Sequence, residues 1–138
     1  GWQKVGGNWY YLNSSGAMLT GWQNLNGVWY YLDSSGAMKT GWQYLGGKWY
    51  YLNASGAMLT GWQLINGKWY YLEPSGAMHK SWLKDGNTWY YCHYLNGDMM
   101  TGWIRVGGKW YYLDGSGRML SNTTTPDGYL VGPDGAMI

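Results

Sequence analysis

The sequence predicts an all-β array of stacked β-hairpins, and three observations carry that prediction. A unit of about twenty residues recurs, with Trp2, Trp22, Trp42, Trp62, Trp82 and Trp103 opening successive copies. Seven residues after each stands a second tryptophan: Trp9, Trp29, Trp49, Trp69, Trp89 and Trp110. Between the two lies a pair of turn formers: Gly6-Gly7, Asn26-Gly27, Gly46-Gly47, Asn66-Gly67, Gly86-Asn87 and Gly107-Gly108. A fixed period of this length marks supersecondary units that cannot bury a core alone and must stack.

The elements follow in order. Residues 2–5 make one strand and residues 8–12 its return. Gly6-Gly7 and its counterparts tolerate positive φ at both central positions, as a type I′ hairpin turn requires. That turn pairs Val5 with Asn8, Lys4 with Trp9, Gln3 with Tyr10 and Trp2 with Tyr11. Alternation along a strand then puts Trp2, Trp9 and Tyr11 on one face, and Val5, Tyr10 and Leu12 on the other. The second face is expected to turn inward, with one row of Val5, Leu25, Leu45, Ile65 and Val106 and another of Leu12, Leu32, Leu52, Leu72 and Leu113. Asn13-Ser14-Ser15-Gly16 and its copies are turn formers that close each unit. Residues 1–120 thus hold six repeats, and residues 121–138 read as a capping hairpin, which repeat arrays need.

Composition narrows the function. Aromatics are 20% of the chain, every one a Trp or a Tyr. These rings carry a polar handle and suit half-exposed surfaces. Charged residues are only 12% and the net charge is +2, so steering of a polyanion is weak. Lys48, Lys68 and Lys109 recur beside the second Trp, but no basic run exists, and nucleic acid is a poor fit. No apolar stretch approaches the roughly 18 residues of a membrane span. The single cysteine, Cys92, takes the place of Leu12 in its repeat and reads as a small buried apolar residue. Catalysis finds little support. Asp33, Glu73 and Asp114 share one turn position, His79 and His93 are isolated, and no spacing suits a metal. No catalytic residue, metal site or cofactor is expected.

Two apolar rows already supply a core, which leaves the Trp face for binding. Stacking is expected to bring each Trp pair near the second Tyr of the next unit, with Met18, Met38, Met58, Met78 and Met119 as a soft fourth wall. Three ring faces without a formal charge suit a poorly hydrated cation, above all a quaternary ammonium. A primary ammonium would leave its N–H donors without acceptors. At about 0.5–2 kcal/mol per ring, a site gains a few kcal/mol net and roughly millimolar affinity. Several sites on one polymer raise avidity about 10²–10⁴-fold.

Gly21 to Thr40, GWQNLNGVWYYLDSSGAMKT, resembles the repeat of choline-binding modules on streptococcal surface proteins and on cell-wall lytic enzymes of streptococci and their phages. The likeness covers the whole chain: paired Trp, Tyr-Tyr, then Gly-Ala-Met at fixed offsets. It implies a left-handed solenoid of β-hairpins, and choline as ligand, presented as phosphocholine on the teichoic and lipoteichoic acids of the cell wall. It also implies an extracellular, wall-attached location. Carried over by position, the first site is Trp2, Trp9, Tyr31 and Met38; the second Trp22, Trp29, Tyr51 and Met58; the third Trp42, Trp49, Tyr71 and Met78. The fourth is Trp62, Trp69, Tyr91 and Met99, and the fifth Trp82, Trp89, Tyr112 and Met119.

The chain departs from the pattern at Ser81 for Gly, at Asp85 for an apolar residue, and by one inserted residue within Cys92-His93-Tyr94-Leu95. Aligning Gly128-Tyr129-Leu130 with Trp-Tyr-Tyr leaves Leu130 where a third ring should be, so Trp103 and Trp110 are expected to form no complete site. Some members of the family dimerise through this end, and the sequence leaves a homodimer open. Tyr11 and Met18 have no preceding Trp pair, so the parent protein is expected to continue upstream, and any enzymatic activity would reside there. Glucan-binding repeats are the main alternative, with Gln3, Gln23, Gln43 and Gln63 as a fringe for hydroxyls. The face assignment sets those residues opposite the Trp pair. A structural spacer is the third reading.

Overall fold

The computed structural model describes residues 1–138. It is built from fourteen strands and no helix, paired as seven two-stranded sheets. β1 (Trp2–Val5) pairs with β2 (Asn8–Tyr11), β3 (Gly21–Leu25) with β4 (Val28–Leu32), and β5 (Gly41–Leu45) with β6 (Lys48–Leu52). β7 (Gly61–Ile65) pairs with β8 (Lys68–Leu72), β9 (Ser81–Asp85) with β10 (Thr88–Cys92), and β11 (Gly102–Val106) with β12 (Lys109–Leu113). A short hairpin of β13 (Thr123–Thr124) and β14 (Leu130–Val131) follows.

The register is the one the turn dictates. Trp2 faces Tyr11, Gln3 faces Tyr10, Lys4 faces Trp9 and Val5 faces Asn8, and the same pairing recurs in later hairpins. Five of the six tight turns carry the expected left-handed pair, with φ of 55° at Asn26 and 83° at Gly27, whereas at Gly86-Asn87 only Gly86, at 64°, has a positive φ. The closing loop is an Asx turn: Asn13 Oδ1 accepts from the amides of Ser15 and Ala17, both at 3.0 Å. Asp33, Asn53 and Asp114 do the same. At the insertion, His93 takes over this role, its Nδ1 accepting from the amides of Leu95 and Asn96 at 3.2 Å. The longer loop is thereby closed without loss of backbone partners.

The chain divides into two compact units: Gly1–Gly61 with Leu72–Met78, and Trp62–Tyr71 with His79–Ile138. Inside the first, the amides of Met38, Met58 and Met78 donate to the carbonyls of Trp9, Trp29 and Trp49 at 2.8–2.9 Å. Inside the second, Met99, Met119 and Met137 donate to Trp69, Trp89 and Trp110 at 2.7–2.9 Å. Each bond ties one repeat to the one before it. A lone two-stranded hairpin is marginal in water, and this link lets one hairpin cover the next.

The core is narrower than the sequence suggests. Leu32, Leu52, Leu72, Cys92 and Leu113 are fully buried, as expected of their row, whereas Leu12 in the first repeat is only half-buried. The companion row is not: Val5 is 63% exposed, Leu25, Leu45 and Val106 are half-buried, and Ile65 alone is buried. These residues flank the tight turn at the hairpin tip, whereas the Leu row sits at the base, where the closing loop folds over it.

Ser81 explains itself against its counterparts. Gly21, Gly41, Gly61 and Gly102 precede their tryptophans with φ of 74–77°, and Ser81 is held there at 74°. A side chain in this region costs roughly 1–2 kcal/mol. Ser81→Gly is therefore expected to stabilise the protein by about 1 kcal/mol, read as a higher urea midpoint with an unchanged slope; no gain would mean the serine is not strained.

Candidate functional site

Alternation gives each hairpin a Trp face and a back face, and stacking like units lays the Trp face of one against the back of the next. The ring that crosses over must therefore come from the back face, which is the first tyrosine of the Tyr-Tyr pair. Tyr30 packs edge-on against Trp2 with ring centroids 5.0 Å apart, and Tyr50 against Trp22 at 5.1 Å. Tyr90 meets Trp62 and Tyr111 meets Trp82, each at 5.0 Å.

This corrects the expected third ring. Tyr31, Tyr51, Tyr71, Tyr91 and Tyr112 lie on the Trp face of their own hairpins. There they pack on their own first tryptophans, Trp22, Trp42, Trp62, Trp82 and Trp103, at 5.0–5.2 Å. They buttress one tryptophan from behind instead of closing the groove of the repeat before.

Four grooves result whose walls lie wholly within one unit. The first is lined by Trp2, Trp9, Tyr30, Met38 and Ser55, with a volume of about 290 Å³. The second is lined by Trp22, Trp29, Tyr50, Met58, Pro74 and Ser75, about 300 Å³. In the second unit, Trp62, Trp69, Tyr90, Met99, Gly115 and Ser116 line about 310 Å³. Trp82, Trp89, Tyr111 and Met119 line the largest, about 520 Å³, joined by Lys84, Asn87, Ser121, Pro133 and Asp134. Of the third expected set, Trp42, Trp49 and Met78 belong to the first unit and Tyr71 to the second.

Within a groove the two tryptophans stand nearly at right angles, 89° for Trp2 and Trp9 and 83° for Trp22 and Trp29. They form a corner rather than a stack. The second tryptophan stays open to solvent, 36% exposed at Trp49 and 43% at Trp69. Each methionine is wedged from behind by the next repeat: a Cβ on Gly56 would collide with the Met38 sulfur, and one on Gly117 with that of Met99. Those glycines also sit at φ of 87° and 88°, so the turn and the methionine demand the same residue.

The last pair departs from the expectation that it is incomplete. Leu130 does replace the second tyrosine, but that position does not close grooves. Tyr129 occupies the first-tyrosine position and meets Trp103 edge-on at 5.7 Å, and the Met137 amide donates to the Trp110 carbonyl at 2.8 Å. Trp103, Trp110, Tyr129 and Met137 are thus arranged like the other sets.

Two carboxylates hold indoles, one of them the Asp85 that departs from the apolar pattern. Asp85 Oδ2 accepts from Trp62 Nε1 at 3.0 Å, and Asp127 Oδ2 from Trp103 Nε1 at 2.8 Å. Both residues fall about 23 positions after their tryptophan, and that recurrence was the available signal. The Thr125 hydroxyl, donating to Asp127 Oδ1 at 2.6 Å, and then the Trp103 indole hold the Asp127 carboxyl below its ordinary pKa. Elsewhere the chemistry is quiet. Burial first, and then the charge of Asp98, push the Cys92 thiol up to about 12, which leaves it protonated and inert. The Gln23 and Gln43 amides donate to the carbonyls of Thr20 and Thr40 at 2.9 Å, which commits one N–H of each to the backbone.

Corners of uncharged rings, repeated at successive junctions, define a repeat-built receptor for small, poorly hydrated organic cations. Comparison with known proteins makes the class specific. The choline-binding repeat family matches residues 19–60, 59–101 and 99–137, and a cell wall binding repeat matches residues 1–18. The chain belongs to the choline-binding repeat family. It is 55% identical over its full length to choline binding protein F of Streptococcus pneumoniae, with a TM-score of 0.97, and spans 46% of that protein. It is 53% identical to CbpJ of the same species, again over its full length, with a TM-score of 0.96 and 48% of that chain covered. The cell wall endolysin of phage Cp-1, solved with choline, is 37% identical over 96% of this chain and 41% of its own, with a TM-score of 0.62. A comparison with curated protein sequences gives no match.

The carboxylate at Asp127 sets a pH dependence. Its folded pKa is depressed, so its stabilisation is present above the unfolded value of about 3.9 and is lost as pH falls through the lower folded value. The Trp103 Nε1 proton resonance is expected to hold steady down to about pH 4 and to shift below it. Asp127→Asn should abolish the transition, and a transition that survives this substitution would detach it from this carboxylate.

Proposed function

We propose that the chain is a non-catalytic wall-anchoring module that cages the trimethylammonium of choline between successive repeats. Its natural ligand is the phosphocholine of teichoic and lipoteichoic acids, and its place is outside the cell, on the wall. The observation that carries this reading is the first groove: Trp2, Trp9, Tyr30 and Met38 meet around about 290 Å³ lined by no charged side chain. Such a wall offers cation–π attraction with no carboxylate to accept from a primary ammonium, which favours a methylated one.

The cages are Trp2, Trp9, Tyr30 and Met38; Trp22, Trp29, Tyr50 and Met58; Trp62, Trp69, Tyr90 and Met99; and Trp82, Trp89, Tyr111 and Met119. Trp103, Trp110, Tyr129 and Met137 add a further one, and Trp42, Trp49 and Met78 belong to the same reading. The carboxylates at Asp85 and Asp127 fix an indole and bring a negative charge to that side of their cages. A glucan would need a fringe of free donors, and the observed use of Gln23 and Gln43 on backbone carbonyls disfavours it.

Titration tests the reading. Choline is expected to change tryptophan fluorescence with half-saturation near millimolar and to raise Tm, while dextran oligomers do neither; the reverse pattern would overturn it in favour of a glucan. Tyr30→Ala is expected to weaken choline at the first cage about threefold to thirtyfold, the worth of one ring. Tyr31→Ala should leave that cage within about twofold. The ε-methyl signal of Met38, followed by NMR during the titration, reports the first cage alone. Equal losses from the two substitutions would return the wall to the second tyrosine.

A further inference from the structure

The fifth groove has a lysine and an aspartate in its lining, and this inference rests on the choline reading above. Its cage of Trp82, Trp89, Tyr111 and Met119 is extended by Lys84, Asn87 and Asp134 into a cavity of about 520 Å³, against about 290–310 Å³ for the first, second and fourth grooves. Lys84 lies directly across the hairpin from Trp89, and its Nζ stands 5.8 Å from the ring centroid. The matching positions in the first and last repeats are also cations: Lys4, whose Nζ stands 5.9 Å from the Trp9 centroid, and Arg105 opposite Trp110. Lys4 does not line the first cavity, and the second and fourth, with Asn24 and Leu64 at this position, are lined by no charged residue, so among these four cavities charged side chains line the fifth alone.

An ammonium placed there has two opposite effects. It repels a caged trimethylammonium and occupies part of the attraction of the Trp89 face. It attracts an anion bonded to that same ligand. The Asp134 carboxylate cannot perform the second role, and its Oδ1 accepts from the Ala136 amide at 3.1 Å within its own turn. The groove thus carries a positive and a negative group beside an aromatic corner, which matches a zwitterion. We propose that the fifth groove is selective for phosphorylated choline over free choline, and that Lys84, helped by the amide of Asn87, reads the phosphate while the rings hold the trimethylammonium.

Methionine ε-methyl NMR separates the grooves, because Met119 reports the fifth, Met58 the second and Met99 the fourth. The protein is titrated with choline and, separately, with phosphocholine. At Met119, phosphocholine is expected to bind about threefold or more tighter than choline, the scale of an exposed charge pair. At Met58 the two ligands should agree within about twofold, and at Met99, whose cage has the Asp85 carboxylate on its Trp62 indole, phosphocholine should gain no advantage. Lys84→Gln should remove the preference at Met119 by weakening phosphocholine and tightening choline, with Met58 unchanged. Raising the salt concentration should shrink the preference at Met119 in the wild type. A Met119 signal without preference, or a preference that survives Lys84→Gln, overturns the inference. Failure of either ligand to move any of the three methyl groups would overturn the choline reading itself.

Discussion

One backbone hydrogen bond at each junction governs the rest of this structure. The amide of the methionine donates to the carbonyl of the preceding repeat's second tryptophan, as in Met38 to Trp9 and Met119 to Trp89. Donor and acceptor residues both line the same groove. The spacing of the groove's floor and one of its walls is therefore set by the backbone, not by side-chain packing. Two-stranded hairpins have little to bury, and the fully buried Leu32, Leu52 and Leu72 row gains its cover from the loop that this bond holds down. Stability and the groove then share one cause. A repeat that loosened its junction would lose its core residue and its binding wall together.

The same constraint explains what the sequence revealed and what it hid. Hairpin register was legible because it depends on local turn chemistry: Asn26-Gly27 forces the type I′ turn, and counting outward from it pairs Trp22 with Tyr31. The membership of Trp2, Trp9 and Met38 in one groove was legible because the period is nearly invariant. Which tyrosine closes the groove was not. Tyr30 and Tyr31 are adjacent and chemically identical, and choosing between them needs the direction in which one hairpin faces the next. That direction is a stacking property, invisible to in-strand alternation. The same error made Leu130 look like a missing wall, when Tyr129 was the residue that counted.

The inner rows show a second limit. Period-2 alternation identified Val5, Leu25 and Leu12 as one face, and face identity does not fix depth. Depth follows position along the hairpin. Residues beside the tight turn stay partly in solvent in every repeat but that of Ile65, and those beside the closing loop are sealed from the second repeat onward, whether the residue is Leu113 or Cys92. Departures from the repeat had local reasons of the same kind. His93 substitutes for Asn or Asp because its Nδ1 can accept two loop amides. Asp85 abandons the apolar pattern because a neighbouring indole offers it a donor. Single positions that break a repeat mark contacts between units of the pattern, and reading them needs the partner.

Affinity per groove is bounded by this architecture. Three rings and a thioether on an open corner can supply a few kcal/mol at most, and the exposed second tryptophan leaves part of any ligand in water. A deeper cage would need a larger hairpin, and a larger hairpin would not repeat at twenty residues. Avidity is the remaining route to firm attachment, since several grooves on one chain can engage a polymer at several points. Such a scaffold does not need identical grooves. The junction bond preserves the corner while the residue opposite the second tryptophan varies among Lys4, Asn24, Tyr44, Leu64, Lys84 and Arg105, so charge can be tuned groove by groove without disturbing the fold. Weak, separable sites on an invariant frame let each repeat acquire its own preference, and no single groove has to hold the load.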